Sequence, residues 1–531
     1  MLKDIRKQRN IPVWLESAVF YQIYPQSFQD SNNDGIGDIK GIIRRLDYLL
    51  SLGINTIWLT PCFVSPFQDG GYDIADYYKI APRYGTNADL ILLCKKAHEC
   101  GIKIFLDLVP GHTSIEHPWF KMSGQPRRNK YSDRFIWTSG IFDRGDGSLN
   151  FIQGYAPRNG NYATNFFYCQ PALNYGFAKP DPKKSWQQPM DAPGPIANRR
   201  ELIKIMSYWL DRGVDGFRVD MAFSLVKNDP SHRETISLWR DIFLEIRPLY
   251  PEAVFISEWG NPKEAIAAGF DIDFVLPFGF GGYNDLILNK KSFFRRYGGI
   301  SINNFLKFYL KHAAPVEGKG LISVPSSNHD IKRLYSDGRM VRDLKVIFTF
   351  LLTWPGVPFI YQGEEIGMRY IKGLPSKEGG YERTGARTPM QWDDGPNAGF
   401  SKAERNLLYL PIDPRPNRPT VQSQENDPES LLTHVKKLMV LRKSHRALQA
   451  TGSLNPVYTP KSSGQFAYVR EYKEERFLIV LNPSAASSKI YLNGIKTDDK
   501  SLKLGWGVSA SVTERGCVIR LHGVSYGVFK L

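Results

Sequence analysis

A barrel of eight parallel strands alternating with helices is the fold class this sequence predicts, and three observations lead to it. Eight short apolar runs recur between Ala18 and Tyr361. Stretches with amphipathic spacing, long enough for helices, separate most of them. A glycine often stands where the preceding helix must end, as in Leu52-Gly53-Ile54 and Arg212-Gly213-Val214. The runs are Ala18–Tyr24, Ile54–Thr60, Ile102–Leu108, Asp215–Val219, Ala253–Ser257, Asp271–Leu276, Leu321–Val324 and Val357–Tyr361. Each is brief and rich in β-branched or aromatic residues, as strands buried on both faces require. Eight such strands alternating with helices point to a (β/α)8 barrel in the α/β class. Helical patterning is clearest over Ile39–Leu52, Asn87–Cys100, Arg199–Arg212 and Glu429–Ser444.

At 531 residues the chain is too long for one simple core. Between the third and fourth runs lies a segment far longer than one helix needs. Residues 110–198 are rich in Gly, Pro, Asn and aromatics, for example Gly154-Tyr155-Ala156-Pro157-Arg158-Asn159-Gly160-Asn161-Tyr162. A loop of that length inside a barrel predicts an inserted, loop-rich domain. The barrel is then assigned to residues 1–109 and 199–450. After residue 451 short alternating segments follow one another: Phe466–Arg470, Arg476–Leu481, Lys489–Leu492, Val508–Val512, Cys517–Leu521 and Val524–Leu531. Turn residues divide them, which predicts a C-terminal antiparallel β-sandwich over 451–531.

Composition narrows the function classes. The net charge of +16 would suit a polyanionic partner. Yet the basic residues are dispersed, with no run of five or six, and no nucleic-acid motif accompanies them, so no nucleic-acid partner is expected. No stretch of about 18 apolar residues occurs, so no membrane span is expected either. Met1–Arg9 is charged and lacks the apolar centre of a secretory leader. The five cysteines, Cys62, Cys94, Cys100, Cys169 and Cys517, are scattered without metal spacing. Reduced thiols and a cytoplasmic location are the expectation.

In a barrel of this kind chemistry gathers at the C-terminal ends of the strands. Four of those ends are polar: Asp107–His112 after the third run, Arg218–Asp220 at the fourth, Glu258-Trp259 at the fifth, and Asn328-His329-Asp330 after the seventh. One Asp at a strand end is commonly a cap or a structural pair. Four coordinated ends point to a reactive rim.

These segments resemble the conserved regions of the α-amylase superfamily, glycoside hydrolase family 13, from about Trp14 to Leu448. The resemblance is closest to the α-glucosidase and oligo-α-1,6-glucosidase branch. It rests also on Tyr21–Pro25 (YQIYP), Asp30–Asp38 (DSNNDGIGD), Gly71–Tyr77 (GYDIADY) and Ala386–Trp392 (ARTPMQW). It implies a retaining, exo-acting α-glucosidase that removes terminal glucose from short oligosaccharides, the small-molecule partner. Asp220 is then the nucleophile, Glu258 the general acid/base and Asp330 the third carboxylate. Retention needs two carboxyls about 5–5.5 Å apart, and neighbouring strands lie about 4.8 Å apart. Arg218, two residues from Asp220, is expected to keep it ionised. Burial near Trp259 should raise the pKa of Glu258.

The resemblance further implies that His112 and His329 donate to sugar hydroxyls. By the same resemblance Asp73 is expected to pair with Arg387 at the blind end of the pocket, with Tyr72 under the sugar ring. It likewise implies that Asp30, Asn32, Asp34, the Ile36 carbonyl and Asp38 form a structural Ca²⁺ or Mg²⁺ site. No organic cofactor is implied. Three departures stand out. Gly111 replaces a usual Asn, Ala172 replaces Asp in a Gln170–Asn174 segment, and Met221 follows the nucleophile position where linkage preference is read. Linkage therefore stays open. So does a transglycosylase or isomerase of α-glucosides on the same scaffold; a non-catalytic binding relative is a remote third reading.

Overall fold

The computed structural model describes residues 11–278, 282–461 and 464–531. All eight runs become parallel barrel strands: β1 (Phe20–Ile23), β2 (Thr56–Leu59), β3 (Lys103–Leu108), β4 (Gly216–Val219), β5 (Val254–Ser257), β6 (Ile272–Phe274), β7 (Leu321–Ser323) and β8 (Phe359–Tyr361). Neighbours in sequence are neighbours in the sheet, and β1 pairs with β8. A parallel bridge from Pro325 to Phe359 joins the β7 end to β8 and closes the ring.

Alternation along each strand sorts the side chains. Phe20, Trp58, Phe105, Val254, Ile256, Ile272, Phe274 and Phe359 fill the interior. Phe20 stacks on Phe359 at 4.3 Å and meets Phe105 edge-on at 5.0 Å. Their neighbours Tyr21, Ile57, Ile104, Phe217 and Phe255 face the helices in the large outer core. Removing one such interior ring costs about 3–5 kcal/mol, so this layer is a rigid floor for the rim above it.

Helix boundaries follow local chemistry. Gly53 (φ 91°) and Gly213 (φ 96°) end their helices in the left-handed conformation, as the sequence indicates. Thr86 and Asp89 form a reciprocal cap on Asn87–Glu99. The stretch Ile39–Leu52 is two helices, Ile39–Arg44 and Leu46–Leu52. The break falls at Arg45, whose Nε donates to Gln29 Oε1 (2.6 Å) and whose guanidinium lies 4.0 Å over Trp392. The fourth-strand helix begins earlier than the pattern indicates, at Pro193, where proline suits a first turn.

Residues between β3 and Pro193 carry little regular structure: a helix Pro118–Ser123 and a two-residue ladder of Phe151–Ile152 with Tyr162–Ala163. Aromatic packing of Phe120 against Phe135, Trp137 and Tyr162 stands in for it. A bridge from His112 to Ala172 ties this segment to the barrel rim.

The C-terminal unit is an antiparallel sheet: β9 (Ser453–Tyr458), β10 (Phe466–Tyr472), β11 (Glu475–Asn482), β12 (Ser488–Asn493), β13 (Leu502–Thr513) and β14 (Gly516–Lys530). The sequence pattern omits β9 and divides β14 in two. The division reflects a bend at Val524 (φ 52°), which leaves one strand serving β11 and β12 in turn. Phe466, Tyr468, Phe477 and Ile479 face the barrel core, whereas Ala467, Val469, Leu478 and Val480 face a separate core with Ile490, Leu492 and Ile519.

Candidate active site

Strand register builds the centre of the rim. Asp107 of β3 is the partner of Arg218 of β4, which is the partner of Ile256 of β5. Paired residues share a face, so Asp107 and Arg218 meet above the interior layer. Two residues on, Asp220 points the same way, and Glu258 follows β5. Arg218 Nη1 lies 2.8 Å from Asp107 Oδ1 and 2.9 Å from Asp220 Oδ1, while Nη2 lies 2.5 Å from Glu258 Oε1. Asp107 Oδ2 also accepts from Tyr72 Oη (2.9 Å) and Trp58 Nε1 (3.2 Å). Met221, with φ 40° and ψ 44°, turns its N–H onto Glu258 Oε2 at 3.0 Å. That left-handed backbone is costly for a residue with a Cβ, and here it links the segments after β4 and β5.

Three buried carboxyls thus share one guanidinium, and Arg218 does not single out Asp220. Burial pushes Asp220 up to about 7 against the pull of Arg218, and Asp107 to about 6. Glu258 is pushed up to about 7 in the same way, as expected. The expectation of an Asp220 held ionised by its own cation is corrected accordingly: desolvation outweighs a charge divided three ways.

Asp330 differs. Burial works against its ionisation, but His329, Arg383 and Arg387 outweigh it and hold its carboxyl well below the usual range. Asp330 Oδ1 takes Arg383 Nη1 at 2.8 Å and Arg387 Nη2 at 3.1 Å. His329 Nδ1 accepts from Gln22 Nε2 (2.8 Å), which places the proton of the neutral ring on Nε2, 3.2 Å from Asp330 Oδ2. The His329 ring stacks on Tyr72 at 5.2 Å. His112 has the same tautomer, accepting from Asn165 Nδ2 (3.2 Å) and donating to the Tyr72 carbonyl (3.2 Å). Burial lowers both histidines to about 3, so both are neutral donors. With His329 neutral, the two arginines carry the effect on Asp330.

The Asp73–Arg387 pair does not form. Asp73 accepts from Ser65 Oγ (3.0 Å) and from the N–H groups of Gln68 (2.9 Å) and Asp69 (3.0 Å), so it ties its own loop. Arg387 instead donates to the His329 carbonyl (2.9 Å) besides Asp330. The acid–base pair at this end is Asp69 with Arg383, at 2.9 Å, and Gln170 Nε2 also reaches Asp69 (2.9 Å). The sequence reading missed both residues. The available signal was Gly70-Gly71: a Cβ on Gly70 would lie 2.8 Å from Tyr24 Oη and 3.0 Å from Arg387 Nη1. Gly111 has a similar reason, since a Cβ there would lie 2.7 Å from Asn165 Nδ2. Asn165 is held in place by Lys227 Nζ at 2.9 Å.

The Asp30–Asp38 loop closes on itself. Asp30 accepts from the N–H groups of Asn32, Asn33 and Gly35 and from Ser401 Oγ, which occupies both oxygens twice. Asp34 accepts from Ile36 N and Asn32 Nδ2, and Asn32 Oδ1 accepts from Asp34 N. Asp38 caps the helix at Gly41 and takes Ser31 N. Among the described residues no three acidic, histidine or cysteine side chains gather so as to hold a metal ion. The hydrogen bonds of Asp30 saturate it, while Asp34 and Asp38 accept one bond at each oxygen, and no step below passes through a cation.

The fold and rim define a class: a (β/α)8 barrel protein with a buried acid cluster at the C-terminal ends of its strands. The chain belongs to the α-amylase family, whose catalytic-domain model matches residues 22–451. It is 33% identical over 503 residues to the oligo-1,6-glucosidase of Parageobacillus thermoglucosidasius, an alignment covering 82% of this chain and 84% of that protein. Among solved structures, the trehalulose synthase of Pseudomonas mesoacidophila superposes with a TM-score of 0.81 at 26% identity, covering 97% and 99% of the two chains. The isomaltulose synthase of Erwinia rhapontici gives 0.81 at 26% identity, covering 98% and 99%.

Proposed function

We propose that this protein is a retaining, exo-acting α-glucosidase that releases terminal non-reducing glucose from short α-glucosides by double displacement. The observation that carries it is the single Arg218 guanidinium holding Asp220 and Glu258 side by side. Kinship with an oligo-1,6-glucosidase supports the same reading.

In the first step Asp220 attacks the anomeric carbon while Glu258 gives its proton to the departing glycosidic oxygen. The C–O bond to the leaving sugar breaks and an ester to Asp220 forms. In the second, Glu258 takes a proton from water, whose oxygen displaces Asp220 and restores the α configuration. Asp330, ionised and backed by two arginines, supports positive charge at the ring and grips hydroxyls. His329, neutral, donates from Nε2 to a sugar hydroxyl, whereas His112 spends its Nε2 proton on the Tyr72 carbonyl and so fixes Tyr72 beside the sugar ring. Asp69 and Arg383 take the place of Asp73 and Arg387 as the pair that holds the far end of the terminal glucose, which favours exo action. The catalytic barrel is assigned to residues 1–109 and 199–450, the inserted domain to 110–198 and the C-terminal domain to 451–531, of which 1–10, 279–281 and 462–463 lie outside the described residues. Five free cysteines, four of them buried, suit a reducing cytoplasm. Among the described residues no helix is long and apolar enough to cross a membrane.

A panel of maltose, isomaltose, trehalose, sucrose, nigerose, kojibiose and starch, with the anomer of the first product read by NMR, tests the proposal. Glucose released as the α anomer from a disaccharide supports it. The β anomer, or full activity in Glu258→Gln, overturns it. The trehalulose and isomaltulose synthases among the solved structures favour one second reading, transfer of the glucosyl group to a sugar in place of water. Isomeric disaccharides exceeding free glucose at low substrate would select that reading.

A further inference from the structure

Behind Glu258 lies a buried acid that the mechanism above does not use. Asp273 sits in β6 as the register partner of Ser257, the last residue of β5. It is fully buried. Its Oδ1 accepts Ser257 Oγ at 2.7 Å, Trp259 N at 3.1 Å and Gly260 N at 3.4 Å. Those three groups bracket Glu258 in the chain, one before it and two after. Its other oxygen, Oδ2, is buried with no hydrogen-bond partner. The Trp259 ring is fixed separately, by Nε1 donating to Glu264 Oε2 at 3.1 Å.

An orphaned carboxylate oxygen in such a place is expensive. An unsatisfied buried acceptor costs about 1–3 kcal/mol, more for an ionised one. A hydrophobic residue would fill the same volume without that cost. The acid therefore has a use: the carboxyl holds Ser257 and the backbone after Glu258, with the Phe274 backbone of its own strand also acting on it. Burial pushes the Asp273 carboxyl up to about 7, so near neutrality a proton can rest on Oδ2.

We propose that Asp273 is a positioning residue, whose Oδ1 clamps the Ser257–Gly260 backbone so that the Glu258 carboxyl sits where it can protonate the leaving oxygen. This rests on the reading of Glu258 as general acid. The clamp requires one acceptor oxygen and no charge. A neutral amide should therefore serve, with Asn Oδ1 taking the same three donors. Alanine should not.

Two substrates separate positioning from a merely structural role. Isomaltose needs a proton on its leaving oxygen. α-Glucosyl fluoride departs with far less help, so its kcat/KM is nearly independent of the general acid. Asp273→Ala should lower kcat on isomaltose about 10–100-fold, a part of the roughly 100–10,000-fold that general acid catalysis supplies, with KM within twofold, and should cost less than threefold on the fluoride. Asp273→Asn should stay within about threefold of wild type on both. An equal loss on the two substrates would mean that Asp273 only stabilises the fold, and an unchanged Asp273→Ala would mean that nothing is clamped; either overturns the proposal. If Asp273→Ala does not fold, Asp273→Asn and Asp273→Ser with the same pair of substrates decide it: a loss confined to isomaltose in the serine variant, with the asparagine variant intact, supports positioning. Failure of the underlying reading looks different, since Glu258→Gln would then keep full activity on isomaltose.

Discussion

Arg383 Nη2 sits 2.9 Å from Asp69 Oδ1, while Asp73, four residues along the same loop, commits its carboxylate to Ser65, Gln68 N and Asp69 N. Two acids of one loop therefore have separable jobs. Asp69→Ala should lower kcat/KM for a disaccharide about 100-fold, the loss of a charged contact to substrate of 2–3 kcal/mol. Its melting temperature should move little, because Arg383 keeps Asp330. Asp73→Ala should instead lower stability by about 2–3 kcal/mol, three hydrogen bonds at about 1 kcal/mol each. Thermal melts and kinetics on both variants check this, and a reversed pattern would restore Asp73 to the pocket.

The contrast also shows what could be read from the chain alone. Strands were legible because a barrel strand must be apolar on both faces, so Ile54–Thr60 or Leu321–Val324 announces itself without any partner. Residues at strand ends inherit that certainty, which is why Arg218, Asp220 and Glu258 meet where the spacing implies. Loops carry no period. Nothing in Gln68–Asp76 distinguishes Asp69 from Asp73 except the glycines between them, and Arg383 and Arg387 sit four residues apart in one irregular turn. The metal reading meets a related ambiguity: alternating oxygens in Asp30–Asp38 describe Asx turns as well as they describe a cation site. The split charge of Arg218 was not legible either, because Asp107 enters the cluster only through register.

The shared guanidinium sets the pH response. Turnover needs Asp220 ionised and Glu258 protonated, so activity falls as pH drops and Asp220 takes a proton, and falls as pH rises and Glu258 loses one. Burial brings both to about 7, so the pair titrates as a unit. A bell-shaped kcat/KM profile with its maximum at about pH 6–7 is expected. In Glu258→Gln with α-glucosyl fluoride the alkaline limb should vanish and the acid limb remain. An alkaline limb that survives would assign it to another group.

Arg218→Lys tests whether geometry or charge matters at that position. An ammonium is a single point and cannot reach Asp107, Asp220 and Glu258 together as a planar fork does. The net charge is kept, yet kcat should fall about 100–1,000-fold, as for loss of an aligned electrostatic contact. The circular dichroism spectrum should be unchanged. Activity within tenfold of wild type would show that the charge alone suffices.

Arg470 of β10 bears on the seam between barrel and C-terminal sheet. It is fully buried, and its guanidinium donates to the carbonyls of Ser453 (3.0 Å), Gln449 (2.6 Å), Gly452 (3.0 Å) and Thr353. Thr353 ends the helix Val341–Thr353 of the barrel, while Gly452 and Ser453 lead into β9, so one side chain satisfies the backbone of both units. Arg470→Met keeps the volume and removes a buried charge, which is favourable by itself. It also leaves four carbonyls without that donor, at about 1–3 kcal/mol for each that water cannot reach. The second effect should win, since only backbone oxygens are given to this guanidinium and they have little room to turn. A loss of about 3–5 kcal/mol is expected, as for two or three such carbonyls left unsatisfied at about 1–3 kcal/mol each. Hydrogen exchange should quicken first in β9 and β10, with kcat/KM at 25 °C within twofold of wild type. Stability equal to wild type would show that the seam is held by Phe466, Tyr468 and Phe477 against the barrel, and that the carbonyls find other donors.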